Sequence, residues 1–471
     1  HSIEKDAVVI GALYSLGVKR KELMLHFCML PVIITFIGGL IGTLLGFTPL
    51  GINYQIEDCY NYFSIPKLDI FCPVYLIIYG VVIPPLIAAI VNYIVIKKKL
   101  SMPVLKLLRN ESKQSKGKDV NLNKLEFTKA FQLRQIMKEG RSAFAVVLGM
   151  FISLLIVMMG LNCYVLCQHV KENNINDTRY EYMYTLKYPM SNVPDGGEEA
   201  YVKSFKKEIY GMKFDVNVMG INDNSKYFPY ETTDSKSEVV ISSALSTKFN
   251  IHKNQEFTLT DEEEDVMYSF VVSEVVDYAP TFTIFMNIDK ARELFDEKDD
   301  YFNVICSDKK LDIDSGRIYA TIEKSQVKEA ANVFIDLMIS FMVVLIGGSI
   351  FIFIVVMYLM MKVMVDRSAF NIAMVKIFGY RKKEIKKLYL DGNFYIILVG
   401  ALISIPCAKL IMDKLYPYLC SNVNCALDLR FEPWLYIVVF AAIIVLYFII
   451  NTILVRNIEK MTPADVLKNR E

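Results

Sequence analysis

Histidine is scarce in this chain: His1, His26, His169 and His252 are the only four, and they stand far apart. No H-E-x-x-H, no G-x-S-x-G and no G-x-x-x-x-G-K-[ST] occurs. The first two absences exclude the zinc-protease and nucleophile-elbow routes to catalysis; the third means that the chain cannot cradle ATP phosphates itself. Excess charge is lacking too. Lys and Arg number 52 against 51 Asp and Glu, a net +1 that names no nucleic-acid or other charged partner. The nine cysteines (28, 59, 72, 163, 167, 306, 407, 420, 425) show no zinc spacing. Cys163 and Cys167 sit one helical turn apart in an apolar run and read as small hydrophobes. Whether Cys420 and Cys425 pair in a loop is left open. No signal peptide precedes His1, and the chain reads as a piece of a longer protein.

What the chain has is apolar length. Hydrophobic residues make up 54% of it, and mean hydropathy is +0.33. Six stretches of the roughly 20 residues that cross a bilayer are expected at 27–47, 74–96, 142–167, 337–361, 394–412 and 434–455. In the first, Gly38, Gly42 and Gly46 recur every fourth residue, a pattern that lets another helix approach closely. Pro84 and Pro85 predict a kink in the second. Lys409 lies near the end of the fifth, where its stem can snorkel.

Between the spans, the charges sort themselves. Residues 97–141 hold thirteen Lys and Arg against four Asp and Glu. Within them 112–123 is a polar linker, and the apolar residues of 125–137 among lysines predict a helix at headgroup level before the third span. Residues 168–336 are soluble in character and acidic, with the run Asp261-Glu262-Glu263-Glu264-Asp265 reading as a solvated hairpin tip. This block alternates as strands do at 180–188 and reads as strand at 238–242, 256–260 and 268–276; 200–210 and 290–295 read as helices. It is therefore a mixed α/β domain inserted between two spans. Six spans put both termini on one side, and all the basic segments (1–23, 97–141, 362–388, 456–471) fall on that side. The positive-inside rule makes it the cytoplasm of a cell membrane and puts 168–336 outside.

The chain also repeats itself. Ile10–Leu23 reads IGALYSLGVKRKEL and Ile372–Ile385 reads IAMVKIFGYRKKEI, 362 positions on. Gly17 faces Gly379, and Lys19-Arg20-Lys21-Glu22 faces Arg381-Lys382-Lys383-Glu384. A second echo, Lys99–Pro103 and Glu459–Pro463, closes each unit. Flanking charge explains the lysines but not the same glycine and glutamate placed twice. The motif reads as a helical turn ended by glycine, free to take positive φ. A short charged helix then follows, with Leu16 or Phe378 offered to a docking groove.

These residues resemble the FtsX-like permeases of ABC transporters, whose short cytoplasmic segment carries such a motif. Ile10-Gly11, Leu16-Gly17-Val18-Lys19-Arg20-Lys21-Glu22-Leu23 and Phe378-Gly379-Tyr380-Arg381-Lys382-Lys383-Glu384-Ile385 match it, while Val9 and Asn371 stand where the family has an acid. Segments 238–245, 249–259 and 285–295 resemble the MacB-type extracytoplasmic core, with Lys253-Asn254 in place of its Gly-Asp turn. The resemblance implies a multi-pass α-helical membrane protein with an inserted extracytoplasmic α/β domain. Residues 1–111 would be the back half of one unit (coupling segment 7–23), 112–141 a basic cytoplasmic linker, 142–167 a span, 168–336 the outer domain and 337–471 the rest of a second unit (coupling segment 366–388). The front of the first unit would precede His1.

By the same resemblance, Gly17, Lys19, Arg20, Lys21, Glu22, Phe378, Gly379, Arg381, Lys382, Lys383 and Glu384 would bind a cytoplasmic ABC ATPase dimer. ATP and magnesium would belong to that partner, and no cofactor, metal or nucleic acid to this chain, which is not itself an enzyme. Expected roles are export or removal of peptide, antibiotic or lipid-like substrates. Control of a cell-wall hydrolase and ATP-independent ligand sensing stay open as alternatives.

Overall fold

The computed structural model describes residues 7–48, 51, 60, 64, 66, 71–101, 126–138, 140–262, 264–389 and 391–460. The polar linker 112–123 and both prolines of the closing echo, Pro103 and Pro463, lie outside them. Among the described residues six helices are long and apolar enough to cross a membrane: Arg20–Gly46, Val74–Lys98, Ala143–Asp177, Lys324–Val363, Gly392–Leu419 and Pro433–Leu454. The chain is thus a multi-pass membrane protein carrying an inserted α/β domain.

The chain divides into two units. The first comprises His1–Gly149, Ile354–Gly400 and Ile444–Glu471. It opens with α1 (Ala7–Ser15) and α2 (Arg20–Gly46). The helix α3 follows as Val74–Ile77, a π-helical stretch Ile78–Val82, then Ile83–Leu100. Pro84 and Pro85 have no N–H to return to the preceding turn, and the irregularity lies just before them, where Ile83 N–H reaches back to Ile78 O. There α2 and α3 touch closely. A Cβ on Gly39 would lie 2.3 Å from the carbonyl oxygen of Gly80, and one on Gly80 would lie 2.3 Å from Thr43 Oγ1. On the expected face, a Cβ added to Gly38, Gly42 or Gly46 would meet nothing within 4 Å. Within this chain the close contact therefore belongs to the neighbouring face, because the π stretch presents its own glycine there.

Next come α4 (Phe127–Lys138) and α5 (Gly140–Asp177), the latter leading into the inserted domain. After that domain, α8 (Lys324–Ile377) is one helix of 54 residues, about 80 Å at 1.5 Å per residue. It is followed by α9 (Lys382–Tyr389), α10 (Gly392–Leu419) and α11 (Pro433–Lys460).

The second unit, Met150–Phe353 and Ala401–Ile443, contains the α/β domain. Its elements are β1 (Tyr182–Leu186), β2 (Gly197–Ile209), β3 (Met212–Ile221), β4 (Glu238–Ser242), α6 (Ser243–Phe249), β5 (Glu256–Asp261), β6 (Val266–Val276), β7 (Thr283–Asn287), α7 (Ile288–Leu294), β8 (Val304–Ser307) and β9 (Ile318–Glu323). The sheet order is β3-β7-β4-β6-β5-β2-β8-β1-β9, and β2 also pairs with β3, which closes six strands on themselves. Strand alternation feeds two cores. Val216, Val218, Val239, Ile241, Ile284 and Met286 enter one; Met219, Ile221, Val240 and Phe285 enter the other.

Of residues 200–210, expected as helix, 200–209 are strand and Tyr210 begins the turn after it. Tyr201, Phe205 and Ile209 are spaced by four, which puts them on one face of a helix or of a strand alike. Pairing with β3 decides it, from Tyr201 opposite Gly220 to Ile209 opposite Met212. At the acidic run, Asp261 pairs with Val266 across the β5–β6 hairpin, with Glu263 outside the described residues. Lys203 holds Asp261 at 2.9 Å, and Lys213 holds Glu262 at 2.6 Å.

Hydrogen bonds tie this domain to the loop after α10. Lys248 of α6 is buried and donates to the carbonyls of Cys420, Ser421 and Val423 in the loop after α10. Leu427 N–H donates to Thr247 Oγ1 at 3.1 Å. Lys409 does not snorkel. It is 5% exposed and donates to Asn162 Oδ1, Asp413 Oδ1 and Leu429 O, with the Phe431 ring 3.8 Å away. Three acceptors and a ring face replace water there. Cys420 and Cys425 are free thiols.

Candidate coupling site

The two copies of the repeat fold alike down to their hydrogen bonds. At the end of α1, Gly17 N–H donates to Tyr14 O and Val18 N–H to Leu13 O, both at 3.2 Å. At the end of α8, Gly379 N–H donates to Lys376 O at 3.2 Å and Tyr380 N–H to Val375 O at 3.4 Å. Each is a Schellman ending, the crossed pair of bonds that satisfies the last free carbonyls of a helix. The glycines take φ +92 and +84, where a side chain would cost about 1–2 kcal/mol.

A new helix starts at once in both places. Lys19 O accepts from Glu22 and Leu23, and Arg381 O accepts from Glu384 and Ile385. In the second copy the Glu384 carboxylate also accepts the Arg381 backbone N–H at 2.7 Å, half of a capping box. This gives Glu384 a local role in starting α9.

Each motif buries one face and leaves the other bare. Ile10 and Leu23 are buried together with Ile96 of α3. Their repeat counterparts Ile372 and Ile385 are buried together with Val365. Outward, Leu16 is 81% exposed and Phe378 73%, each at the tip of its turn. Gly17, Lys19, Arg20, Lys21, Glu22, Gly379, Arg381 and Glu384 are exposed around them. Lys382 and Lys383 open α9, with their side chains outside the described residues. An apolar side chain at the tip, ringed by charge, is the arrangement of an anchor that fills a partner's pocket.

Contacts that the sequence did not announce hold these turns in place. Arg20 Nη2 donates to Lys97 O at 3.1 Å, fastening the first motif to the end of α3. For the second motif the fastening comes from α4. Phe131 packs against the Ile372–Ile385 cluster, and Gln132 Nε2 donates to Lys387 O at 2.5 Å. The helix expected to lie at headgroup level is therefore also the brace of α9. Its signal in the sequence was the phenylalanine at helical spacing among lysines. At the position before Ile-Gly, Val9 is exposed, and the side chain of Asn371 is outside the described residues.

Comparison with known families places a match on both motifs. Residues 2–104 and 343–463 match the FtsX-like permease C-terminal family. No curated protein matches the chain.

Proposed function

We propose that this chain, a member of the FtsX-like permease family through those two segments, couples ATP hydrolysis by separate ATPase subunits to movement of its α/β domain. FtsX-like permeases are the membrane subunits of ABC transporters and work with ABC ATPases. The finer reading is that Leu16 and Phe378, with Lys19–Glu22 and Arg381–Glu384, dock one ATPase each on the cytoplasmic side.

The observation that carries it is the doubling. Two segments 362 positions apart end in the same turn, bury the same pair of apolar residues and expose an apolar tip at the same place. A pair of equivalent docking points suits a pair of ATPase subunits whose closure on ATP shifts both. The path onward is covalent: α8 runs unbroken from Lys324, next to strand β9, to Ile377, two residues before Gly379. Differential contact with two ATPase states then biases the domain between two arrangements.

In this reading the α/β domain is extracytoplasmic and MacB-like, and the chain binds neither ATP nor metal. With Lys409 consumed in a closed hydrogen-bond cluster, the spans offer no charged conduit there. A peptide or lipid-like substrate handled at the outer membrane face fits better than one threaded through. The test is co-purification of the full-length protein with its ATPase, native against Arg381→Glu/Lys382→Glu. Loss of the ATPase by a folded variant supports the reading; retained association overturns it.

A further inference from the structure

The hairpin joining β2 to β3 ends in a place where soluble turns are built differently. Ile209 pairs with Met212, so Tyr210 and Gly211 alone make the turn. Their φ values are +51 and +76, the type I′ pattern that favours Asn-Gly. A tyrosine held left-handed is uncommon and costs about 1–2 kcal/mol. Tyr210 is nonetheless 47% exposed and Met212 44%, so burial in the domain core does not recover that cost.

What Tyr210 does touch is a membrane helix. Its ring centroid lies 4.4 Å from that of Tyr418, in the last turn of α10. Along α10, Cys407, Ile411, Leu415 and Tyr418 are exposed at helical spacing. This is the apolar stripe a crossing helix turns to lipid, and it reaches Tyr418 past the exposed Lys414 on the same face, a cation placed where headgroups begin. Tyr210 and Met212 extend the same surface from the α/β domain. Neighbouring charges are balanced: Lys213 pairs with Glu262, and Lys206 with Asp215.

We propose that the β2–β3 turn, through Tyr210 and Met212, rests in the interfacial layer of the leaflet on the α/β domain's side, a lipid contact that continues the lipid-facing stripe of α10. Tyrosine suits that layer, with an apolar ring and a hydroxyl that stays wet. Because Lys206 and Lys213 are paired with carboxylates, Lys207 donates to Thr258 O and an acidic tip lies alongside, zwitterionic lipid suffices. The inference rests on the membrane helices alone and not on the ATPase reading.

The experiment uses the full-length protein with Trp434→Phe, and any tryptophan outside these 471 residues likewise replaced by Phe, and one new tryptophan at a time, Met212→Trp or Tyr210→Trp. The control is Tyr319→Trp, at another exposed tyrosine of the domain. Each is reconstituted in phosphatidylcholine vesicles, with and without acyl chains brominated near the headgroup. The contact predicts blue-shifted emission that brominated lipid quenches at 212 and 210, and emission at 319 that only aqueous iodide quenches. Iodide quenching at 210 and 212 equal to that at 319, with no effect of brominated lipid, overturns it.

Discussion

The Nζ of Lys248 lies 2.6 Å from the carbonyl oxygen of Val423, so a buried ammonium of the α/β domain grips the loop between α10 and α11. Two more carbonyls of that loop, Cys420 and Ser421, share the same ammonium. Together with α5 and α8, this gives the domain a further tie to the membrane helices. The ring of Phe214 stands 4.7 Å from the same nitrogen.

Lys248→Met keeps the stem and removes the donors, leaving three carbonyls short of a partner. The grip should weaken by about 3 kcal/mol, the usual scale for breaking charged hydrogen bonds in a buried place. Hydrogen exchange in peptides covering 420–429 should then speed up by about two orders of magnitude, with the sheet core unchanged.

Gly39→Ala should destabilise the α2–α3 pair by about 1–3 kcal/mol, the range for forced overpacking. The new methyl would meet backbone, the Gly80 carbonyl, which cannot swing aside. Gly38→Ala, one residue away and with nothing near it, should be neutral. Thermal unfolding in detergent compares the two directly.

Gly379→Ala and Gly17→Ala should each cost about 1–2 kcal/mol at the turn, since both glycines sit at left-handed φ with open space around them. Asparagine, which tolerates that φ, should cost less at both positions. The check is hydrogen exchange at the amides of Val18 and Tyr380, whose bonds close the two turns.

Acid should loosen the α/β domain through two carboxylates. Hydrogen bonding from Lys226 holds Asp308 below its ordinary value of 3.8, and hydrogen bonding from Lys236 holds Glu293 below 4.5. A depressed folded value means stability that is present above the unfolded value and lost as pH falls through the folded one. The native chain should therefore lose more melting temperature below about pH 4.5 than Lys226→Met/Lys236→Met. The two melting curves should converge at low pH.

Much of this was legible because it is local. Twenty apolar residues in a row announce a span wherever they pack, and a glycine before a charged helix announces a Schellman ending without help from the rest of the chain. The duplicated motif showed which glycines mattered. Tyr201, Phe205 and Ile209 misled because a spacing of four serves a helix and a strand equally, and only pairing with β3 breaks the tie. Lys409 misled for a similar reason: its acceptors Asn162 and Leu429 come from different parts of the chain. The glycine face of α2 shifted by one residue because its partner surface is set by a π stretch in α3 that no local pattern announces. Phe131 and Gln132 were visible as part of an amphipathic helix, but not as the brace of α9.

Leu16 and Phe378 are the points proposed to meet the ATPase. The most direct measurement places a photo-crosslinking phenylalanine analogue at position 16, 378 or 319 of the full-length protein in membranes that also contain its ATPase. Covalent adducts to the ATPase are expected from positions 16 and 378 and none from 319, which lies exposed in the α/β domain. Absence of adducts at both 16 and 378, or equal yield at 319, contradicts it.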